Sequence, residues 1–157
     1  RRDFVAGSVA LGTALAMPSG RAQAQAKPVL AGTLAPNPAE FKKAMNEFVG
    51  NATPVEAGLK LELPVLADNP GAVPVHAKVT LPITESQYCK ELIVLAELNP
   101  PPLACRFRFS PATGSAEAAI RLRLSQTQTI HALARMSDGK VLVAKQSVTV
   151  AASGCGM

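Results

Sequence analysis

The feature that most constrains this chain is a strict alternation. Val73, Val75, Ala77, Val79 and Leu81 are apolar, and His76, Lys78 and Thr80 between them are polar. Period two over that length belongs to a strand with one face buried and is incompatible with a helix. The same rhythm recurs along the chain between turn signals. Leu59, Leu61 and Leu63 alternate with Lys60 and Glu62 as far as Pro64, and the turn-forming Asp68-Asn69-Pro70-Gly71 leads into the clear strand. After a polar connection from Pro82 to Gln87, the run Lys90 to Glu97 is apolar enough at its centre for a strand buried on both faces. Asn99-Pro100-Pro101-Pro102 then forces a turn, because prolines cannot donate to a ladder.

Further strands are predicted at Cys105 to Phe109, beyond the Ser110 to Ser115 turn at Ala118 to Leu124, at Thr127 to Met136, and at Lys140 to Ala151. The last two are joined by Ser137-Asp138-Gly139, whose Asp-Gly favours a tight hairpin. About seven short strands with no βαβ rhythm predict an all-β fold, an immunoglobulin-like antiparallel β-sandwich. The Trp that fills the core of an immunoglobulin domain proper is missing, since the chain has none.

One helix precedes the strands. Asn37 suits the cap, Pro38 the first helical position, and Glu40 the third, and Gly50-Asn51 marks the end. Phe41, Ala44, Met45, Phe48 and Val49 form a stripe at helical spacing, which either crosses the sheet or faces a partner. Ahead of it, Arg1-Arg2-Asp3-Phe4 leads an apolar run to Met17, too short to span a bilayer. Ala22-Gln23-Ala24 and Ala24-Gln25-Ala26 have the form of signal-peptidase sites. Residues 1–26 therefore read as an export signal of twin-arginine type, with an ordinary secretory signal as the alternative, and the expected location is the periplasm. The mature chain divides into a sandwich domain with its helix, 27–152, and a C-terminal arm, 153–157.

Charge and composition narrow the function. Of the net charge of +5, the leader supplies +2, from three arginines against one aspartate, so the remainder carries +3. With 4% aromatic residues, that domain lacks the basic aromatic platform of a nucleic-acid binder. After signal cleavage no membrane attachment is expected either. Arg106, Arg108, Arg121, Arg123 and Arg135 fall on the polar sides of their strands, as a solvated face or as a docking face for an acidic partner. His76 and His131 sit mid-strand, no metal-ligand spacing or phosphate loop occurs, and no cofactor is predicted.

The chemistry concentrates in cysteine. Three cysteines in an exported chain leave one over. Cys89 and Cys105 either form a disulfide or remain two shielded thiols. Cys155, within Ser153-Gly154-Cys155-Gly156-Met157, is unpaired in both cases. Gly154 and Gly156 free the backbone on either side of it, and Ser153 adds no bulk, so the expectation is a flexible arm. Cys155 is the fifth residue beyond Val150, a reach of about 17 Å. A nucleophile with reach and no nearby base describes a carrier. A thiol-dependent enzyme, or a structural domain linked through Cys155, are the alternatives.

These residues carry a resemblance. The Gly-flanked Cys155 after a final Val148-x-Val150 strand, the Met136-Ser137-Asp138-Gly139 turn, the Asn99-Pro100 turn before Phe107-x-Phe109-Ser110-Pro111, and the leader together resemble the SoxY family, over nearly the whole chain. Ser153 stands where the family usually has glycine, and Met157 follows the motif. The resemblance implies a non-catalytic sulfur carrier of the periplasmic thiosulfate-oxidising Sox system, with Cys155 as the covalent attachment point. It also implies a heterodimer with a β-rich SoxZ-like subunit. The enzymes served would be a c-type cytochrome, SoxAX, that joins thiosulfate to the thiol, a hydrolase, SoxB, that releases sulfate, and a sulfane dehydrogenase, SoxCD.

Overall fold

The computed structural model describes residues 35–151. The leader and the arm, including Ser153, Gly154, Cys155 and Gly156, lie outside the described residues. Helix α1 (Pro38–Val49) comes first, followed by β1 (Leu59–Glu62), β2 (Leu66–Ala67), β3 (Val73–Val79), β4 (Cys89–Ala96), β5 (Leu103–Arg108), β6 (Glu117–Leu122), β7 (Gln128–Met136) and β8 (Val141–Val150). They form two sheets, ordered β1-β3-β6 and β2-β8-β7-β4-β5. Every strand pair is antiparallel except β2 with β8. The predicted all-β sandwich is the fold found.

The alternation that defined β3 places Val73, Val75, Ala77 and Val79 in the inter-sheet core, with Pro74 and Lys78 outward. Pro74 is tolerated in this central strand because the ladder with β1 ends at His76, leaving it paired on one side only. In β4 both faces are buried for different reasons. Leu92, Val94 and Ala96 enter the core between the sheets, while Ile93 and Leu95 face the other way, under α1. All five are completely enclosed, and each of the four larger ones, Leu92, Ile93, Val94 and Leu95, contributes about 1.5–3 kcal/mol.

The helix begins and covers the sheet as its sequence dictates. Asn37 Oδ1 accepts from the Glu40 N–H at 3.1 Å, and Gly50, at φ 58°, ends the helix where other residues would be strained. Phe41, Ala44, Met45, Phe48 and Val49 then lie over Ile93, Leu95, Leu133 and Val141. Of the two roles open to that stripe, crossing the sheet is the one it takes. The Ser137-Asp138-Gly139 hairpin is also present, with Gly139 at φ 88° and its N–H bonded to the Met136 carbonyl.

Two expectations need correction. The chain has eight strands rather than about seven, because β2 was not foreseen: two residues are too few to show a period. The arginines do not form one uniformly solvated face. Arg106, Arg108 and Arg135 converge on Glu91, with nitrogen–oxygen distances of 2.9, 3.8 and 3.8 Å. Glu91 is buried beneath them, so its charge needs those partners. Arg135 also donates to the Phe48 carbonyl and stacks over the Phe48 ring at 4.6 Å, placing a cation at the negative end of α1. Arg121, by contrast, belongs to β6 of the other sheet, and Arg123 to the loop that follows it.

Candidate functional site

The site is defined by where the chain leaves the sandwich on its way to Cys155. The last residues of β8 are held on two sides. The Thr149 N–H donates to the carbonyl of Val65, just before β2, at 2.8 Å, and the Ala151 N–H to the Ala67 carbonyl in β2 at 3.0 Å. The Val150 N–H donates to Thr127 Oγ1 at 2.9 Å. A two-residue strand thus has a clear purpose: it satisfies the outer edge of β8 up to Ala151, and Cys155 is only the fourth residue beyond Ala151.

The loops around this exit are fastened to one another. Asn99 Nδ2 donates to the Arg123 carbonyl at 2.8 Å, while Asn99 Oδ1 accepts from the Ser125 N–H at 3.1 Å and from Gln128 Nε2 at 2.8 Å. The buried Gln128 uses its own oxygen to accept from the Leu98 N–H at 2.8 Å. On the far side, the Leu124 N–H donates to the Pro70 carbonyl at 2.8 Å. The β4–β5 turn, the 123–127 loop and the loop after β2 are therefore one hydrogen-bonded assembly. The sequence marked Asn99 as a turn residue, but nothing in it connected Asn99 to Gln128, 29 residues away.

The two cysteines within the described residues are placed for shielding. Cys89 opens β4 opposite Met136, while Cys105 on β5 faces Val94, five positions further along β4. At about 3.4 Å per residue that offset is about 17 Å along the strand, far beyond disulfide reach. The pairing left open by the sequence is not made, and both thiols are free. Burial, the dominant cause in each case, pushes both pKa values up to about 11, against which the hydrogen bond between Cys89 and the Glu91 backbone acts only weakly. Each is held as the neutral thiol.

Neither histidine accompanies a described thiol. His76, on the outer face of the three-stranded sheet, has Nδ1 3.2 Å from Glu62 and Nε2 3.8 Å from Glu117. His131 is less exposed than its mid-strand position suggested. It lies under Phe41, ring centres 5.1 Å apart, with its buried Nε2 3.5 Å from Glu97. Burial lowers its pKa below the ordinary value and outweighs the pull of Glu97 in the other direction. Such an imidazole is neutral and packed. No cluster of potential metal ligands occurs among the described residues.

Fold and site together define the class: an immunoglobulin-like β-sandwich with a helix laid across one sheet, whose last strand delivers a cysteine-bearing segment from a fixed exit. The family is given by the sequence. The family model for sulfur oxidation protein SoxY matches residues 45–155, so the match extends to Cys155, and the chain belongs to the SoxY family. Among solved structures it is similar to the sulfur carrier protein SoxY from Chlorobium limicola f thiosulfatophilum, at 20% identity and a TM-score of 0.60, covering 73% of this chain and 98% of that one. It is also similar to a superoxide reductase (neelaredoxin) from Ignicoccus hospitalis, at 15% identity and a TM-score of 0.54, covering 60% of this chain and 80% of that one. At these identities the likeness is one of fold, which two such different proteins share. No curated protein matches the chain.

Proposed function

We propose that this protein carries thiosulfate-derived sulfur covalently on Cys155 and presents it to partner enzymes, without a catalytic centre of its own. The observation that carries the reading is the contrast among its thiols. Cys89 and Cys105 are held neutral within the sandwich, which leaves Cys155, four residues beyond the last anchored backbone group, for chemistry. Ser153, Gly154 and Gly156 are the residues that would let the arm turn. From Ala151 the thiol would reach about 14 Å, enough to enter another protein's cleft.

In the loading step the Cys155 thiol loses its proton and forms a bond to the outer sulfur of thiosulfate. The product is a Cys–S–S–SO₃⁻ adduct, and two electrons pass to the c-type cytochrome SoxAX. Hydrolysis by SoxB then adds water, releasing sulfate and a proton and leaving Cys–S–SH, whose outer sulfur a sulfane dehydrogenase, SoxCD, oxidises further. An unshifted thiol is only a few per cent thiolate at pH 7, so activation belongs to the partner's pocket. A SoxZ-like subunit completes a heterodimer, and exposed Val65, just before the edge strand β2, and Leu66, which opens it, are apolar surface suited to such a contact. The periplasm is the proposed location, with export by the twin-arginine route.

The test is loading in solution. Protein incubated with thiosulfate alone should remain unmodified, whereas adding the cytochrome and an electron acceptor should raise the intact mass by one thiosulfonate, mapped to the C-terminal peptide and removed by reductant. Modification that maps to Cys89 or Cys105 contradicts the reading.

A further inference from the structure

Strand β5 lies at one side of the five-stranded sheet and pairs with β4 alone. The Phe109 N–H bonds to the Lys90 carbonyl, so by alternation the backbone groups of Phe107 also turn toward β4, while those of Arg106 and Arg108 turn outward. The side chains on the helix side of this open edge form a row. A bulge between Val94 and Leu95 sets Leu103 opposite Leu95, and Arg106 and Arg108 follow opposite Ile93 and Glu91. The row thus reads apolar, cationic, cationic. We infer that this edge is a docking site for an acidic, extended segment of a partner protein, which adds a strand antiparallel to β5 and sets two carboxylates against Arg106 and Arg108. The inference goes beyond the carrier reading and makes no use of Cys155.

Three observations converge. The first is the edge itself: sheet edges are ordinarily blunted by prolines, bulges or covering loops, yet from Cys105 to Arg108 β5 is regular and free of proline. The second is charge. The guanidiniums of Arg106, Arg108 and Arg135 meet the single carboxylate of Glu91, and the side chains of Arg106 and Arg108 remain 45% and 80% exposed. One carboxylate cannot fill three fork-shaped donors, and acidic residues on an added strand would stand directly opposite the two exposed ones. The same arginines reject a second copy of β5, because antiparallel self-pairing centred on Phe107 would oppose like charges. The third is shape. Beyond Arg106 the row runs into a groove of about 410 Å³ between α1 and the β4–β5 turn. The charges lining it balance, Glu40 and Glu47 against Lys43 and Arg106, and Leu103 lies there 39% exposed, so the groove suits an apolar residue of the guest strand.

The test is a titration of the full mature chain, labelled for amide spectra, with the acetylated peptide Thr-Glu-Thr-Glu-Thr-Leu-Thr. Paired antiparallel, its glutamates fall opposite Arg108 and Arg106 and its leucine at the groove. Saturable shifts should centre on Arg106 and Arg108, and both amides should gain protection from hydrogen exchange. Replacing the two glutamates by glutamine should weaken binding about fivefold, as expected for two largely exposed charge pairs. In Arg108→Gln, whose side chain is exposed and whose fold is checked by circular dichroism, that preference should fall to about twofold. A peptide N-methylated at both glutamates keeps the charge but cannot complete the ladder, and it should not bind. Absence of saturable binding, equal affinity for the glutamate and glutamine peptides, or shifts centred on β1 or β6 of the other sheet each overturn the inference. So does unimpaired binding of the N-methylated peptide, which would indicate an anion contact without an added strand. None of these outcomes touches the carrier reading, which fails only if enzymatic loading misses Cys155.

Discussion

Native protein treated with a small neutral disulfide reagent at pH 8 should discriminate sharply among its thiols. Burial raises Cys89 and Cys105 from an ordinary 9.0 to about 11. At pH 8 the thiolate fraction then falls from about 9% to about 0.1%, roughly ninetyfold. Part of that loss is offset, because a more basic thiolate is a better nucleophile by about half a power of ten per pKa unit. Ionisation alone therefore slows each thiol about tenfold relative to the denatured chain. Cys105, which is partly exposed, should show roughly that factor. Cys89 has no accessible surface, so it must wait for a local opening at the start of β4 and should lag far further. The assay is timed quenching followed by peptide mass mapping, in native buffer and in urea. If Cys105 reacts natively as fast as in urea, or Cys89 keeps pace with Cys105, the shielding argument is refuted.

Three further outcomes follow from the same geometry. Glu91→Gln removes the charge on which Arg106, Arg108 and Arg135 converge; its carboxylate is 11% exposed but Arg106 is 45% exposed, so a discounted loss of about 1–2 kcal/mol is expected, read as a Tm lower by roughly 4–8 °C. The raised thiol pKa values favour the protonated folded state, so their stabilisation is complete below about pH 9 and is lost as pH rises through about 11; the stability difference in urea between the wild type and a Cys89→Ala/Cys105→Ala variant should narrow over that window. Deleting residues 152–157 leaves the Ala151 to Ala67 hydrogen bond in place and should change stability by less than about 0.5 kcal/mol, and a larger fall would mean that the free arm is packed.

The sandwich was legible because its strands are long enough to show a period. Val73 to Leu81 announces its buried face residue by residue, and the helix announces itself twice, through the Asn37 cap and the Phe41 to Val49 stripe. What stayed hidden depends on contacts between distant segments. Leu66 and Ala67 become a strand only because β8 lies alongside. Glu91 looked like one polar residue at the margin of an apolar run, yet its neighbours Arg106 and Arg135 come from two other strands. Asn99 was visible as a turn former, but its role in fixing the exit requires Arg123, Ser125 and Gln128. The relation between Cys89 and Cys105 is a matter of register, which only the paired strands β4, β5 and β7 reveal.

The most direct test of the carrier account exchanges cysteines in a reconstituted thiosulfate-oxidising mixture of cytochrome, hydrolase and sulfane dehydrogenase. The measurement is the rate of cytochrome reduction on adding thiosulfate, with the partner subunit present throughout. Removal of both shielded thiols, in a Cys89→Ala/Cys105→Ala variant whose fold is verified by circular dichroism, should leave electron flow close to that of the wild type. The Cys155→Ser variant, with both shielded thiols intact, should give no thiosulfate-dependent reduction and no adduct. Sustained turnover by Cys155→Ser, or its loss in the folded double variant, would contradict the claim that Cys155 carries the sulfur.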